Sequence, residues 1–264
     1  MKKTFRLVGL MLLAVVSYGL TACGSNDDDD AGISVTPSNV SMYYEDTKQL
    51  KAEGATSWLS NDEFVAKVAQ NGLLTGMHVG TTTIVASNGK SKGTCEVTIT
   101  PKYSLFDMPL LNWGASKSSI ESAEKHSKMD TSSDEFVLYD YSSGSTACLL
   151  MYSFENNRLK SAMALLNRSM YANAGFYLLE RFQPIGLGDD DDAYFMDAMS
   201  RDKAKTVCML DYYKLSGTTY TSILFADISV LSSSSSSTRS HSQLVTIPDE
   251  IKEYLGMLRV EMKE

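Results

Sequence analysis

The sequence predicts a small β-sandwich followed by an α+β domain, and three observations carry this prediction. Residues 33–100 hold six or seven short apolar runs separated by turn residues, with no helical period among them. From residue 102 onward, helix-like segments alternate with groups of three strand-like runs, a pattern typical of an α+β fold. The chain of 264 residues is longer than one typical domain and suits two.

Residues 1–22 have the pattern of a secretory signal. Three basic residues precede an apolar run and small residues lead to a cysteine: Lys2, Lys3 and Arg6, then 7–18, then Leu20-Thr21-Ala22-Cys23. The apolar run is too short for a membrane-spanning helix, which needs about 20 residues. Leu-Thr-Ala-Cys resembles the lipobox of bacterial lipoproteins, which implies cleavage before Cys23, lipid on its sulfur, and the outer-membrane bilayer as a partner. The alternative is an ordinary cleaved signal that happens to end in Cys.

Residues 23–32 form an acidic tether in this interpretation. Four adjacent like charges, Asp27–Asp30, repel one another and prevent the segment from collapsing. The segment also resembles the acidic export tag that follows the lipidated Cys in lipoproteins of the Bacteroides group. That resemblance implies a location on the outer face of the outer membrane, exposed at the cell surface.

The charge balance argues against one class of partner. The chain has 24 basic and 32 acidic residues, for a net charge of −8. The signal segment holds three of the positive charges and none of the negative ones, so residues 23–264 carry about −11. A balance this acidic predicts that nucleic acid is not a partner, because phosphate binding relies on basic side chains.

The sandwich prediction rests on short strands with turn punctuation. The predicted strands are 33–35, 49–52, 56–59, 63–68, 82–87 and 94–100. Asn71-Gly72 and Asn88-Gly89 are tight-turn signals between apolar runs. In the last strand Cys95, Val97 and Ile99 alternate with polar residues, as on a half-buried strand.

Five segments of this region carry a resemblance to a known family. In chain order they are 58–62 (Trp-Leu-Ser-Asn-Asp), 65–68 (Val-Ala-Lys-Val), 71–76 (Asn-Gly-Leu-Leu-Thr-Gly), 80–84 (Gly-Thr-Thr-Thr-Ile) and 95–99 (Cys-Glu-Val-Thr-Ile). They resemble the bacterial immunoglobulin-like domain, group 2. The resemblance implies an immunoglobulin-like sandwich over residues 33–101 that serves as a spacer or adhesion module and carries no catalytic residues. The chain departs from the family by being short between Gln49 and Trp58.

Residues 102–228 are predicted to form two αβββ halves. The first comprises a helix at 116–127, capped by Ser118 with Glu121 completing a capping box, and strands at 136–141, 147–154 and 159–166. The second comprises a helix at 170–182, stopped by Pro184, and strands at 193–199, 205–215 and 219–227. This order repeats after about 60 residues, which indicates an internal duplication.

The duplication makes a structural prediction. Cys148 and Cys208 occupy matching places in middle strands that are apolar on both faces, so these strands belong in the interior of a helix-covered sheet. The covering residues are predicted to be Ile120 and Ala123 from the first helix, and Ala174, Tyr177 and Leu178 from the second. The element order is similar to β-lactamase-inhibitor-like tandem repeats and to small outer-membrane assembly lipoproteins.

Residues 229–264 are predicted to be a linker and a terminal helix. Ser232–Ser237 is a low-complexity run, and Pro248 suits the first position of a helix. The apolar residues that follow fall on one helical face: Ile251, Tyr254, Leu255, Leu258 and Met262. A helix this short is marginal alone, so it is expected to dock on this chain or on a partner.

Two sets of side chains are candidate binding sites. The first is an acidic run that follows two glycines: Asp189, Asp190, Asp191 and Asp192. It is either a weak Ca²⁺ site or a solvated loop, because four consecutive Asp cannot all face one ion. The second set either forms a binding face for a protein or glycan or packs in the core, and it comprises the strand aromatics Tyr139, Tyr141, Tyr152, Tyr212, Tyr213 and Tyr220. Trp113 is either an interdomain plug or a ligand platform. Beyond the Ca²⁺ candidate, no metal and no cofactor are predicted.

The remaining chemistry favours a protein that is not an enzyme. The three His at 78, 126 and 241 lack metal-ligand spacing, and no nucleophile elbow or phosphate-binding loop is present. Cys148 and Cys208 are either core residues or a disulfide pair. The leading hypothesis is a surface lipoprotein whose stalk presents a module that binds a protein or glycan. The alternatives are an envelope assembly or structural factor and a surface hydrolase.

Overall fold

The computed structural model describes residues 32–129, 133–187, 192–215 and 218–228. The chain divides into two units, residues 1–31 and 32–264, and the described residues all belong to the second. The predicted signal segment, Cys23, most of the tether, the Ser-rich linker and the terminal helix therefore lie outside the described residues. Within the described part, no helix is long and apolar enough to span a membrane.

Residues 33–100 form two sheets around a shared core, as the sequence predicts. The strands are β1 (Asn39–Tyr43), β2 (Thr47–Gln49), β3 (Ser57–Ser60), β4 (Ala66–Val68), β5 (Leu73–Gly76), β6 (Gly80–Ser87) and β7 (Lys92–Thr100). One sheet has the order β1-β7-β6-β3 and the other β2-β5-β4, with β1 parallel to β7 and the other pairs antiparallel. On β7, Cys95, Val97 and Ile99 are buried and alternate with exposed residues, which confirms the predicted pleat.

The first predicted strand is wrong. Ile33 and Val35 are buried in the core, but their segment makes only an isolated bridge from Thr36 to Lys51. The first strand that joins a sheet is β1, where Val40 and Met42 point inward between exposed neighbours. The apolar residues of this segment showed that it packs in the core, but they did not show whether it pairs as a strand. Pairing also needs the edge of a neighbouring strand to be free for hydrogen bonds.

Trp58 packs in the core of the sandwich. Its side chain is 9% exposed, and its backbone N–H and C=O both bond the side-chain amide of Gln70, at 3.2 and 3.0 Å. Gly72 lies against the same core with φ of +79°, and a Cβ there would stand 2.6 Å from the Leu50 carbonyl oxygen. The Asn71-Gly72 turn therefore needs glycine both for its backbone angle and for close packing.

Residues 127–227 contain one eight-stranded antiparallel sheet. Its strands are β8 (Ser127–Lys128), β9 (Phe136–Asp140), β10 (Cys148–Glu155), β11 (Arg158–Asn167), β12 (Gln183–Leu187), β13 (Ala193–Met196), β14 (Thr206–Leu215) and β15 (Thr218–Asp227). The spatial order is β12-β13-β14-β15-β11-β10-β9-β8. The helices are α1 (Lys117–Ala123) and α2 (Tyr171–Leu179), the latter preceded by a 3₁₀ turn at Arg168–Met170. All six predicted strands are present, together with the unpredicted edge strands β8 and β12.

The two middle strands lie in the interior of the sheet, as predicted. β10 lies between β9 and β11, and β14 lies between β13 and β15. Cys148 is opposite Leu166, and Cys208 is opposite Phe225, in the two strand pairs concerned. The sheet is continuous rather than divided between two halves, because β11 pairs with β15. Superposition of the two halves stays a prediction.

One face of the sheet packs against both helices, and we call it the helix-side face. Ile120, Ala174, Tyr177 and Leu178 are buried there, as predicted. Ala123 is exposed, so its predicted role is wrong. The helix is shorter than expected: it begins after Ser116, which caps the Ser119 N–H in place of Ser118, and the chain becomes extended at residue 124. With seven residues, α1 turns only one large apolar residue toward the sheet.

The opposite face, which we call the second face, is also apolar. Its buried side chains come from β11, β13, β14, β15 and the residue just beyond: Met163, Leu165, Tyr194, Val207, Met209, Tyr213, Leu224, Ala226 and Ile228. The alternation along each strand places these residues opposite the helix-side face.

Candidate functional site

Three of the candidate tyrosines, Tyr139, Tyr141 and Tyr152, do not form an exposed binding face. Tyr139, Tyr141 and Tyr152 are 2%, 2% and 0% exposed and belong to the helix-side core. The alternation of β9 and β10 turns these rings inward, so the binding-face prediction is wrong for them and the core-packing alternative holds. Trp113 is half-buried against the same core, and its indole Nε1 donates to Thr206 Oγ1 at 3.1 Å. That contact places Trp113 within the α+β domain, not as a plug against the sandwich.

The inward tyrosines meet a buried carboxylate that the sequence analysis missed. Glu124 follows α1 directly, and the hydroxyls of Tyr141 and Tyr152 both donate to its Oε2, the second at 2.8 Å. Oε1 accepts from the His126 backbone N–H at 3.1 Å and lies 2.6 Å from His126 Nδ1. The His126 ring stacks on Tyr141 with centroids 3.6 Å apart. These four residues form what we call the Glu124 cluster.

The electrostatics of the Glu124 cluster favour a charged carboxylate. The Glu124 side chain is 3% exposed. Burial alone would raise the pKa of Glu124, but hydrogen bonds from Tyr141, His126 and Tyr152 outweigh it and lower that pKa to about 2. Burial, followed by the bond to Glu124, raises the pKa of Tyr141, which therefore stays a hydrogen-bond donor. The cluster ties the end of α1 to β9 and β10.

One edge of the cluster approaches solvent. His126 is 24% exposed, and its Nε2 lies 3.5 Å from a carboxylate oxygen of Asp107, which is 85% exposed. The imidazole therefore stands between a buried and an exposed carboxylate. The Glu-x-His spacing at 124–126, close to strand tyrosines, was a usable sequence signal. Residue spacing alone did not show that the tyrosine side chains on and beside β9 and β10 point inward.

A groove opens at the end of β9, β10 and β11. It encloses about 560 Å³, within the range of about 300–1,000 Å³ typical of small-ligand sites. Its lining combines apolar side chains with polar and aromatic ones: Leu149, Leu165, Tyr220, Lys128, Asp140 and Asn167. The groove thus offers an apolar floor, a tyrosine ring, a positively and a negatively charged side chain, and an amide that both donates and accepts hydrogen bonds.

The polar rim of the groove is held by local bonds. Asp140 Oδ1 accepts from the Ser142 backbone N–H at 2.9 Å, and hydrogen bonds from Ser142 lower the pKa of Asp140. Lys128 Nζ lies 2.6 Å from Glu121 Oε1, which orients it beside the groove. Asn167 and Asp140 are exposed, so their side chains are available to a ligand. None of these residues was predicted as a site residue.

A second buried carboxylate fastens the segment between the sandwich and the sheet. Glu180, just after α2, is 2% exposed, and its Oε1 and Oε2 accept from the backbone N–H groups of Lys102 and Tyr103 at 2.8 and 3.1 Å. Its carbonyl oxygen accepts from the Val79 N–H of the sandwich at 2.6 Å. Arg181 adds a bond to the Tyr103 carbonyl at 3.1 Å. The end of α2 therefore holds both the connecting segment and a sandwich loop.

The acidic run proposed as a Ca²⁺ candidate is described only at its last residue, Asp192. The other three aspartates lie outside the described residues: Asp189, Asp190 and Asp191. Within the described residues no three His, Cys, Asp or Glu side chains converge as a metal site, and Asp192 therefore joins no such group there. A Ca²⁺ site formed by the whole run stays a prediction.

The two strand cysteines are not bridged. Cys148 and Cys208 are free and buried, so the disulfide alternative is wrong and the core-residue alternative holds. Burial raises the pKa of Cys148 to about 12 and raises that of Cys208 as well. Both thiols are therefore unreactive, because the thiolate is the nucleophilic form.

Comparisons with known proteins give little support for a family assignment. No protein-family model matches the sequence, and no curated protein matches it. Among solved structures, domains 5–6 of the S-layer protein SbsC are 14% identical, with 74% of this chain and 82% of that chain covered and a TM-score of 0.22. Domains 4–9 of the same surface layer protein are 13% identical, with 74% and 26% covered and a TM-score of 0.22. A TM-score this low supports no conclusion about the fold or the function of this chain.

Proposed function

We propose that this chain is a lipid-anchored protein of the bacterial cell surface whose α+β domain binds a ligand in the groove beside Tyr220. In this proposal Cys23 carries the anchor and the acidic tether directs the protein outward. The sandwich, which resembles the bacterial immunoglobulin-like domain of group 2, is a stalk. The αβββ duplication remains part of the proposal, with Cys148 and Cys208 at equivalent strand positions.

The observation that carries the binding role is the lining of the groove. Its floor is aliphatic, while a carboxylate, an amide and an ammonium group stand at its rim. Sugars present apolar ring faces and many hydroxyl groups, which suit a tyrosine ring and polar groups that both donate and accept. The lining therefore favours a glycan ligand over an apolar small molecule. Binding of a protein, a role in envelope assembly and a hydrolase activity stay alternative predictions.

Tyr220→Ala is expected to weaken glycan binding about fivefold to tenfold, because ring stacking contributes about 1 kcal/mol. The measurement is a glycan array with the full chain, followed by titration of the best glycan. Phe176→Ala is the matched control, since Phe176 is an aromatic residue 48% exposed on α2. Equal affinities of the two variants, or no glycan bound by the unmodified chain, would overturn the proposed role of the groove.

Cys23→Ala is expected to abolish lipidation, because the thioether to the lipid needs that sulfur. The variant should move from the membrane fraction to the soluble fraction on detergent-free cell fractionation. Cys95→Ala is the control, since its thiol is buried in the sandwich core and is not available for acylation. A Cys23→Ala protein that still sediments wholly with membranes would refute the anchor.

A further inference from the structure

The second face of the sheet is covered, although neither described helix contributes to it. Val207, Met209 and Leu224 are 0%, 3% and 1% exposed at its centre. The residues of α1 and α2 that are buried pack on the helix-side face instead. Burying aliphatic side chains releases about 1.5–3 kcal/mol each, so an apolar face of this size needs a partner.

The chain leaves the sheet on this same face. β15 ends at Asp227, and the next residue, Ile228, packs in the cluster of the second face with its backbone N–H bonded to the Lys205 carbonyl at 3.0 Å. Twenty residues, 229–248, precede the proposed helical segment 249–262, the last of them being Pro248, which suits the first position of the helix. Extended, they could reach about 66 Å, more than the roughly 35 Å across eight strands. The terminal segment can therefore reach any part of the second face.

We propose that residues 249–262 form an amphipathic helix that packs across the second face of its own chain. The apolar residues Ile251, Leu255 and Leu258 recur at helical spacing, and Glu253 falls on the opposite side. Fourteen helical residues are about 21 Å long, enough to cover about four strands. The second face is buried on four strands, β13, β14, β15 and β11, whereas Leu149 and Met151 on β10 are half-buried. The length of the proposed helix therefore matches the width of the buried part of the second face.

The proposal predicts which positions can be joined by a short cross-link. Cysteines introduced by Ala226→Cys on the second face and Leu258→Cys on the apolar stripe should be near each other. In the full chain kept in mild detergent, a protease site would replace Ser232–Ser237. In the oxidising environment of the cell surface two adjacent thiols form a disulfide, so after cleavage the two fragments should remain joined on a non-reducing denaturing gel. The native Cys95, Cys148 and Cys208 lie in the sandwich core and on the helix-side face, away from the second face, and do not compete.

The control pairs Ala226→Cys with Glu253→Cys on the polar side of the predicted helix. Its yield of joined fragments should be at least fivefold lower. Equal yields from both pairs, or no joined fragments, would overturn the proposal. Products joined between two chains would show that a second copy covers the face and would overturn it equally.

A second measurement keeps the test independent of the cysteine variants. Leu255→Lys should lower the Tm of the full chain by several degrees, since it places a charge against the second face. Glu253→Lys, which introduces the same side chain on the polar side, should leave the Tm within about one degree. Equal melting temperatures for the two variants would refute packing of the apolar stripe. The outcome is independent of the glycan experiment, because it does not measure ligand binding.

Discussion

Trp58→Ala is expected to unfold the sandwich of residues 33–100. The indole is 9% exposed among buried residues of both sheets, and one of its ring carbons would lie 3.1 Å from a Cβ at Gly72. Emptying a buried aromatic site costs about 3–5 kcal/mol, because the packed surroundings collapse only partly. That loss is comparable with the whole stability of a small domain.

The neighbouring residue provides the control for this prediction. Leu59 lies on the same strand but points outward and is 60% exposed, so Leu59→Ala should change stability by less than about 0.5 kcal/mol. Limited proteolysis of the full chain, followed by mass mapping of the cuts, would report unfolding of the sandwich. If both variants resist cleavage equally, the Trp58 ring does not hold the core together.

Glu124→Gln is expected to destabilise the α+β domain by about 3 kcal/mol at neutral pH. A carboxyl whose pKa is lowered from its usual 4.5 to about 2 by folding contributes about that much stability while it is charged. The buried amide would retain the shape but lose the charge that Tyr141, Tyr152 and His126 stabilise.

The same lowered pKa sets the pH range of the effect. Because folding lowers the pKa, the contribution of Glu124 is fully present above pH 4.5 and is lost as pH falls toward 2. Urea unfolding at pH 7 and pH 3 should therefore show a smaller difference between the unmodified chain and Glu124→Gln at the lower pH. Glu121→Gln is the control, since its partly exposed bond to Lys128 should contribute less than about 1 kcal/mol. An equal effect of both substitutions would show that the Glu124 cluster is not an electrostatic anchor.

The local elements were readable because they depend on neighbouring residues. Alternation of apolar and polar residues indicated β7, and apolar runs between turn signals indicated β10 and β14 as interior strands. The cap of α1 was placed two residues late, at Ser118 instead of Ser116, and the helix was made too long, because two serines could serve as its cap. Capping is a local preference that several residues satisfy, and the position chosen depends on how the chain reaches the sheet.

The sites depended on contacts between residues far apart in the chain. The sequence did not show whether the side chains of Tyr141 and Tyr152 are exposed or buried. Tyr152 lies on β10, a middle strand that is apolar on both faces, so the apolar pattern does not show which face is covered. Glu124 gained its role only when α1 ended against β9 and β10, and Glu180 only when α2 brought it to Lys102. By itself, the sequence determined that residues 33–100 form a sandwich, the order of both helices and six strands of the larger sheet, and the anchor prediction at Cys23, since these follow from local patterning. Only the tertiary structure decided which carboxylates are buried and where the groove opens, because desolvation and hydrogen bonding depend on the neighbours that folding brings together.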